Sequence, residues 1–103
     1  MINYYTQNAK VFPPNSDAVI GIPAIAEMVS LYMKFKIQEL RIESTAIYGN
    51  EDHMIDEGKY FMRYGKNNII DTGKQINVWK KEGGEWQVYN NMWNSNTPLT
   101  TTE

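Results

Sequence analysis

Apolar and polar positions recur along this chain with two different periods, and the change of period divides it. Between residues 22 and 36, Ile22, Ile25, Ala26, Val29, Met33 and Lys36 return at helical spacing, flanked by Met28, Tyr32 and Phe35. Gly21-Ile22-Pro23 delivers a proline to the first helical turn, where its missing N–H is not needed. A stripe this wide predicts a helix packed on a sheet. From residue 37 the period becomes two. Residues 39–48 are rich in strand formers and end at the turn Gly49-Asn50-Glu51-Asp52. Over residues 53–64, Met54, Asp56, Gly58, Tyr60, Met62 and Tyr64 share one face, while His53, Ile55, Glu57, Lys59, Phe61 and Arg63 share the other. The first set is mostly uncharged and is predicted to face inward. Gly65-Lys66-Asn67-Asn68 turns the chain into a strand over 69–81, and Gly83-Gly84 makes a hairpin into a strand over 86–94. Near the start, Pro13-Pro14-Asn15-Ser16-Asp17 interrupts regular structure, and residues 2–10 are predicted as a short helix.

Helical segments followed by strands on tight turns describe an α+β domain, with its helices segregated to one face of an antiparallel sheet. The length, 103 residues, suits one domain, assigned to residues 1–97, with a frayed tail over 98–103. Hydrophobic residues make up 42% and charged residues 21%, which supports a packed core. Ten basic against twelve acidic residues give a net charge of −2, no footprint for a phosphate backbone, so nucleic acid is not expected as a partner. The chain has no cysteine, hence no disulfide, thiol nucleophile or thiolate metal site. The apolar stretch over 19–33 is broken by Pro23, Glu27 and Ser30 and falls short of the ~30 Å hydrocarbon core of a bilayer, so no membrane association is expected. No basic, apolar leader opens the chain, which makes the cytoplasm the default compartment.

Most candidate chemistry fails on geometry. No glycine-rich phosphate loop opens a helix. His53 is the only histidine, and on a strand Asp56 points away from His53 and Glu57, so Asp52, His53, Asp56 and Glu57 do not converge on a metal. Ser16, Ser30, Ser44 and Ser95 lack an adjacent base. Trp79, Trp86 and Trp93 are spaced by seven, which alternates faces on strands and gives no stacking platform; at least one is expected in the core, with a partner for its indole N–H. No metal or cofactor is therefore expected. Asp56 has more specific content. It sits in mid-strand among Met54, Tyr60 and Met62, where a carboxylate is costly unless paired, the setting from which a general base is made. The plainer alternative is a hydrated carboxylate at a strand edge or cavity mouth.

Tyr5-Thr6-x-x-Ala9-x-Val11-x-Pro13-Pro14-Asn15 and Gly21-x-x-Ala24-Ile25 resemble the entry to a SnoaL-like domain. Gly58-x-Tyr60, Gly73-Lys74, Val78-Trp79-Lys80-Lys81, Gly84-x-Trp86 and Met92-Trp93-Asn94-Ser95-Asn96 continue the likeness in order. Nearly the whole chain thus resembles the nuclear-transport-factor-2-like superfamily, which includes ketosteroid isomerase and scytalone dehydratase. The resemblance implies a curved antiparallel sheet wrapped on N-terminal helices, a cystatin-like cone with an apolar pocket at its wide end. It implies a small hydrophobic or amphipathic ligand and, in catalytic members, a pocket carboxylate with a hydrogen-bond donor. Asp56 is the candidate base and Tyr60 the candidate donor; Met54, Met62, Tyr89, Asn91 and Trp93 are the candidate ligand-binding residues. Relatives usually carry Asp two residues before the tryptophan of the Trp-Asn-Ser ending, where this chain has Asn91, which is not a base at neutral pH. Relatives also begin with a long helix, whereas this chain starts at the short helix expected after it.

Three functions follow. The first is a non-catalytic small-molecule-binding module, favoured by Asn91. The second is a small lyase, isomerase or cyclase of the ketosteroid-isomerase type. The third is an association domain with a vestigial pocket. A homodimer through the sheet or the open side of the cone is expected, because apolar surface left uncovered is rarely left wet.

Overall fold

The computed structural model describes residues 4–98. Its elements are β1 (Tyr5–Phe12), β2 (Val19–Ile20), α1 (Ile22–Met33), β3 (Ile37–Gly49), β4 (His53–Tyr64), β5 (Ile69–Glu82) and β6 (Glu85–Ser95). The six strands form one sheet in the order β2-β1-β6-β5-β4-β3, antiparallel except where β1 lies parallel to β6. The fold is α+β, with a curved sheet and one helix on its inner face. Four strands and the helix lie where the periodicities put them.

The N-terminal segment does not. The helix expected over residues 2–10 is replaced by β1, and Ile2 and Asn3 lie outside the described residues. The reason is physical: Tyr5, Thr6, Val11 and Phe12 are aromatic or β-branched, and the segment pairs with the open edge of β6. Ala9 and Val11 are buried against Ile25 of α1, with Tyr5, Val19, Met28, Val29 and Trp93 packed around them. Full burial of Val11 and Ile25 contributes about 1.5–3 kcal/mol each. The buried stripe of α1 is therefore Ile25, Met28, Val29 and Tyr32, rotated from the expected one; Ala26 is exposed, and Met33 is 69% exposed. Of the expected tail, residues 99–103 lie outside the described residues.

Curvature comes from defects in the strands. Register shifts fall at Ser44/Ala46 in β3 and at Val78/Trp79 opposite β6, and such bulges bend and twist a strand. Gly58 lies opposite Ser44; a Cβ there would sit 2.5 Å from the Glu43 carbonyl oxygen. Gly73 is the inner-face partner of Tyr60, whose ring lies across it, so a Cβ would come within 2.5 Å of the ring carbons. The helix packs on β1 and β2 and leaves the β3–β4 end of the concave face open, with Leu40, Ile42 and Ile47 exposed. The accessible surface is 7454 Å², against roughly 6,000 Å² for a compact chain of this mass.

Gly73→Ala is expected to lower the unfolding free energy by about 1–3 kcal/mol, the usual penalty for overpacking. Urea denaturation measures it, and an unchanged midpoint would show that neither the Asn94 carbonyl, which a Cβ would also meet, nor the Tyr60 ring is pinned there.

Candidate functional site

Cross-strand register builds the site. Asp56 of β4 is level with Asn77 of β5, which is level with Asn91 of β6, so one polar row crosses the concave face. One row on, Met54 is level with Trp79, and on the other side Gly58, Gln75 and Trp93 align. Asp56, Asn77, Trp79, Gln75 and Asn91, with Ile42, Tyr4 and Tyr5, line a cavity of about 450 Å³.

The bonding within this cavity is uneven. Asn91 donates its amide N–H to the Asn77 side-chain oxygen, and Asn77 is buried. Trp79 Nε1–H donates to Asp56 Oδ2 at 3.4 Å, a long bond. Asp56 Oδ1 is hidden from water and has no partner among the described residues. Among the described residues, no lysine, arginine or histidine lines the cavity. Tyr4 sets its ring edge-on to Tyr5 at 5.0 Å and to Trp79 at 5.4 Å. Burial, and after it the Asp56 charge, holds the Tyr4 phenol above its ordinary range; burial also raises Tyr5. Both are therefore neutral hydrogen-bonding groups at physiological pH. The site combines one under-bonded carboxylate, three amides and three aromatic rings.

A second polar cluster lies toward the other end of the same face. Tyr60 Oη–H donates to Asp71 Oδ2 at 3.0 Å, and Ser95 Oγ–H donates to Asp71 Oδ1. The Thr97 N–H in turn donates to Ser95 Oγ at 3.0 Å. Burial first, and then the Asp71 hydrogen bond and charge, push the Tyr60 phenol well above its ordinary range. Every member of this cluster has a partner, and it ties β4, β5 and β6 together.

The structure thus brings Asp56 and Asn91 into one cavity and places the other candidates elsewhere. The Tyr60 hydroxyl is bonded to Asp71. Trp93 packs on the core and meets the Tyr32 ring at 5.7 Å. Met54 and Met62 share the Asp56 face but lie outside the cavity lining. Tyr89 sits at the β6 bulge, with the Lys80 ammonium 5.0 Å from its ring centre. Sequence reasoning missed Tyr4, Tyr5, Ile42, Gln75, Asn77 and Trp79 in the cavity, and Asp71 as the partner of Tyr60. Trp79 carried the available signal, since a half-buried indole needs an acceptor. Among the described residues, no three His, Asp or Glu side chains are grouped to hold a metal, and no helix is long and apolar enough to cross a membrane.

No protein-family model and no curated protein sequence matches the chain. Solved structures do. A ketosteroid isomerase-like protein from Erwinia carotovora atroseptica superposes with a TM-score of 0.77 at 16% identity, over 94% of this chain and 79% of that one. A nuclear-transport-factor-2-like protein from Cytophaga hutchinsonii gives 0.72 at 11% identity, over 90% and 77%. A protein of that superfamily from Salmonella enterica gives 0.69 at 16%, over 97% and 76%. The chain has the nuclear-transport-factor-2-like fold.

Because Tyr60 titrates higher when folded than when unfolded, its contribution to stability is complete below pH 10.0 and is lost as pH rises toward the raised value. Urea midpoints are expected to fall with pH above 10.0. Tyr60→Phe should start lower and fall less steeply; equal slopes would assign the alkaline loss to other tyrosines.

Proposed function

We propose that this domain binds a small hydrophobic or amphipathic molecule in the cavity around Asp56, without chemical turnover. The observation that carries this is the Asp56 carboxylate, with one oxygen unpartnered, set among Tyr4, Tyr5 and Trp79 in a cavity of about 450 Å³. A concave, largely apolar pocket with a few convergent polar groups is the usual form of a ligand site. The neighbours of Asp56 support the absence of turnover. The Asn77–Asn91 pair supplies amides, which neither ionise nor act as bases near neutral pH, and the Tyr60 hydroxyl is committed to Asp71.

One observation favours a second reading, a proton shift beside a carbonyl of the ketosteroid-isomerase type. Tyr4 lines the same cavity as a neutral phenol, close enough for the Asp56 charge to act on it, so base and donor share one space. Thermal-shift screening with steroid-like, polyketide-like and aromatic compounds, followed by turnover assays on the hits, separates the readings. Binding without turnover is expected. If turnover occurs, Asp56→Asn should lower kcat by about a hundredfold, the low end for loss of a general base. Silence across the panel would remove both readings.

We also propose a homodimer through the outer face of the sheet. Ile76 and Met92 face each other across β5 and β6, 46% and 52% exposed, in a shallow groove with Thr45 and Glu57. A twofold axis lets such a strip cover its own copy. Light scattering should give twice the monomer mass of 12.0 kDa, reverting to one chain in Met92→Lys. A 12.0 kDa species in the unmodified protein would refute it.

A further inference from the structure

The cavity around Asp56 is chemically one-sided. Its single ionisable acid has no cationic neighbour among the lining residues, and that acid is under-bonded. Oδ2 holds only the long indole contact at 3.4 Å, and Oδ1 holds none. A half-buried carboxylate of this kind repels anions and is poorly served by neutral apolar groups, because its desolvation is left uncompensated. Tyr4, Tyr5 and Trp79 line the same cavity, and aromatic faces carry negative potential that attracts cations. Asn91 spends its amide N–H on Asn77, which leaves its own amide oxygen as an acceptor, and the Gln75 amide oxygen is a further one. Carboxylate, amide oxygens and ring faces are all groups that receive positive charge.

Resting on the pocket reading above, we propose that the cavity selects a small organic cation, a protonated primary amine or amidine carried on an apolar or aromatic body. The ammonium provides N–H donors to Asp56 Oδ1 and to the amide oxygens, and neutralises the carboxylate. Its body lies against Trp79 and the Tyr4–Tyr5 pair. Tyr4 lines the cavity and is 45% exposed, so it stands where the cavity meets solvent. The volume of about 450 Å³ accommodates a one- or two-ring amine. The ligand class is therefore set by charge, in the opposite sense to an acid-binding pocket.

Benzylamine, protonated at pH 7, and its neutral near-isostere benzyl alcohol form the test pair. Each is titrated into the protein labelled with ¹⁵N at tryptophan, with the Trp79 indole N–H signal assigned through Trp79→Phe. Benzylamine should shift that signal and bind about tenfold or more tightly than benzyl alcohol, as charge-assisted bonding and ring contacts imply. Asp56→Asn should remove the difference, bringing benzylamine down to the affinity that the alcohol shows for the same variant. Equal affinities of the two probes at Trp79 in the unmodified protein would overturn the cation preference and leave the pocket standing. If neither probe moves the Trp79 signal, both the preference and the pocket fall. The comparison on the unmodified protein is decisive by itself should Asp56→Asn fail to fold.

Discussion

The hydrogen-bond register of β4 against β5 and of β5 against β6 is the constraint from which the rest of the molecule follows. Side chains alternate faces along a strand, so a slip of one residue would turn Asp56 outward and bring Glu57 in, and would separate the Asn77–Asn91 pair. Several local devices hold the register. Gly83 and Gly84 take positive φ angles of 59° and 82°, which the two-residue hairpin between β5 and β6 requires. Asn50 Oδ1 accepts the N–H groups of Asp52 and His53, both at 2.9 Å, and fixes the turn between β3 and β4. The Tyr60 ring lies over Gly73 while its hydroxyl reaches Asp71, which locks β4 to β5 from the inner face.

Register also explains why a cavity exists at all. The buried apolar cluster joins β1 to α1, because that is where Ala9, Val11 and Ile25 meet. The helix spans twelve residues and covers the sheet only at that end. Bulges in β3 and beside β6 curve the remaining strands, so the uncovered part of the inner face is concave rather than flat. Asp56 lies in that uncovered part. Its row is thus neither in the packed core nor on an ordinary wet face, and the carboxylate held there has one oxygen reached neither by water nor by a donor of the described residues.

How far the sequence exposes this arrangement depends on the range of the interaction. Period-two alternation assigned Met54, Asp56, Gly58, Tyr60 and Met62 to one face, and the β4–β5 pairing shows them on it. Parity carries no information about which strand residues become neighbours, so the Asp56–Asn77–Asn91 row and the Tyr60–Asp71 bond were invisible until the pairing was known. A bulge defeats parity as well. Tyr89 counts to the same face as Asn91 and Trp93, yet the irregularity opposite Val78/Trp79 turns it to Lys80. The mistake over residues 2–10 has a different origin, since Tyr5, Thr6, Val11 and Phe12 favour a strand locally. Nothing in the segment itself reveals that its partner is β6, eighty or more residues away and parallel.

The two polar clusters of the concave face show how bonding separates a structural group from a receptive one. Asp71 and Asp56 both stand on inner-face positions of central strands, beside aromatic residues. Asp71 takes an O–H on each carboxylate oxygen, from Tyr60 and from Ser95, so its charge is answered within the protein and a ligand would have to break those bonds to reach it. Asp56 takes one distant indole N–H, and its other oxygen is unanswered. Removing water from a carboxylate without replacing its hydrogen bonds is unfavourable in the empty protein. A ligand that supplied the missing donors would recover part of that penalty on binding, so the deficit that weakens the free domain would strengthen such a complex.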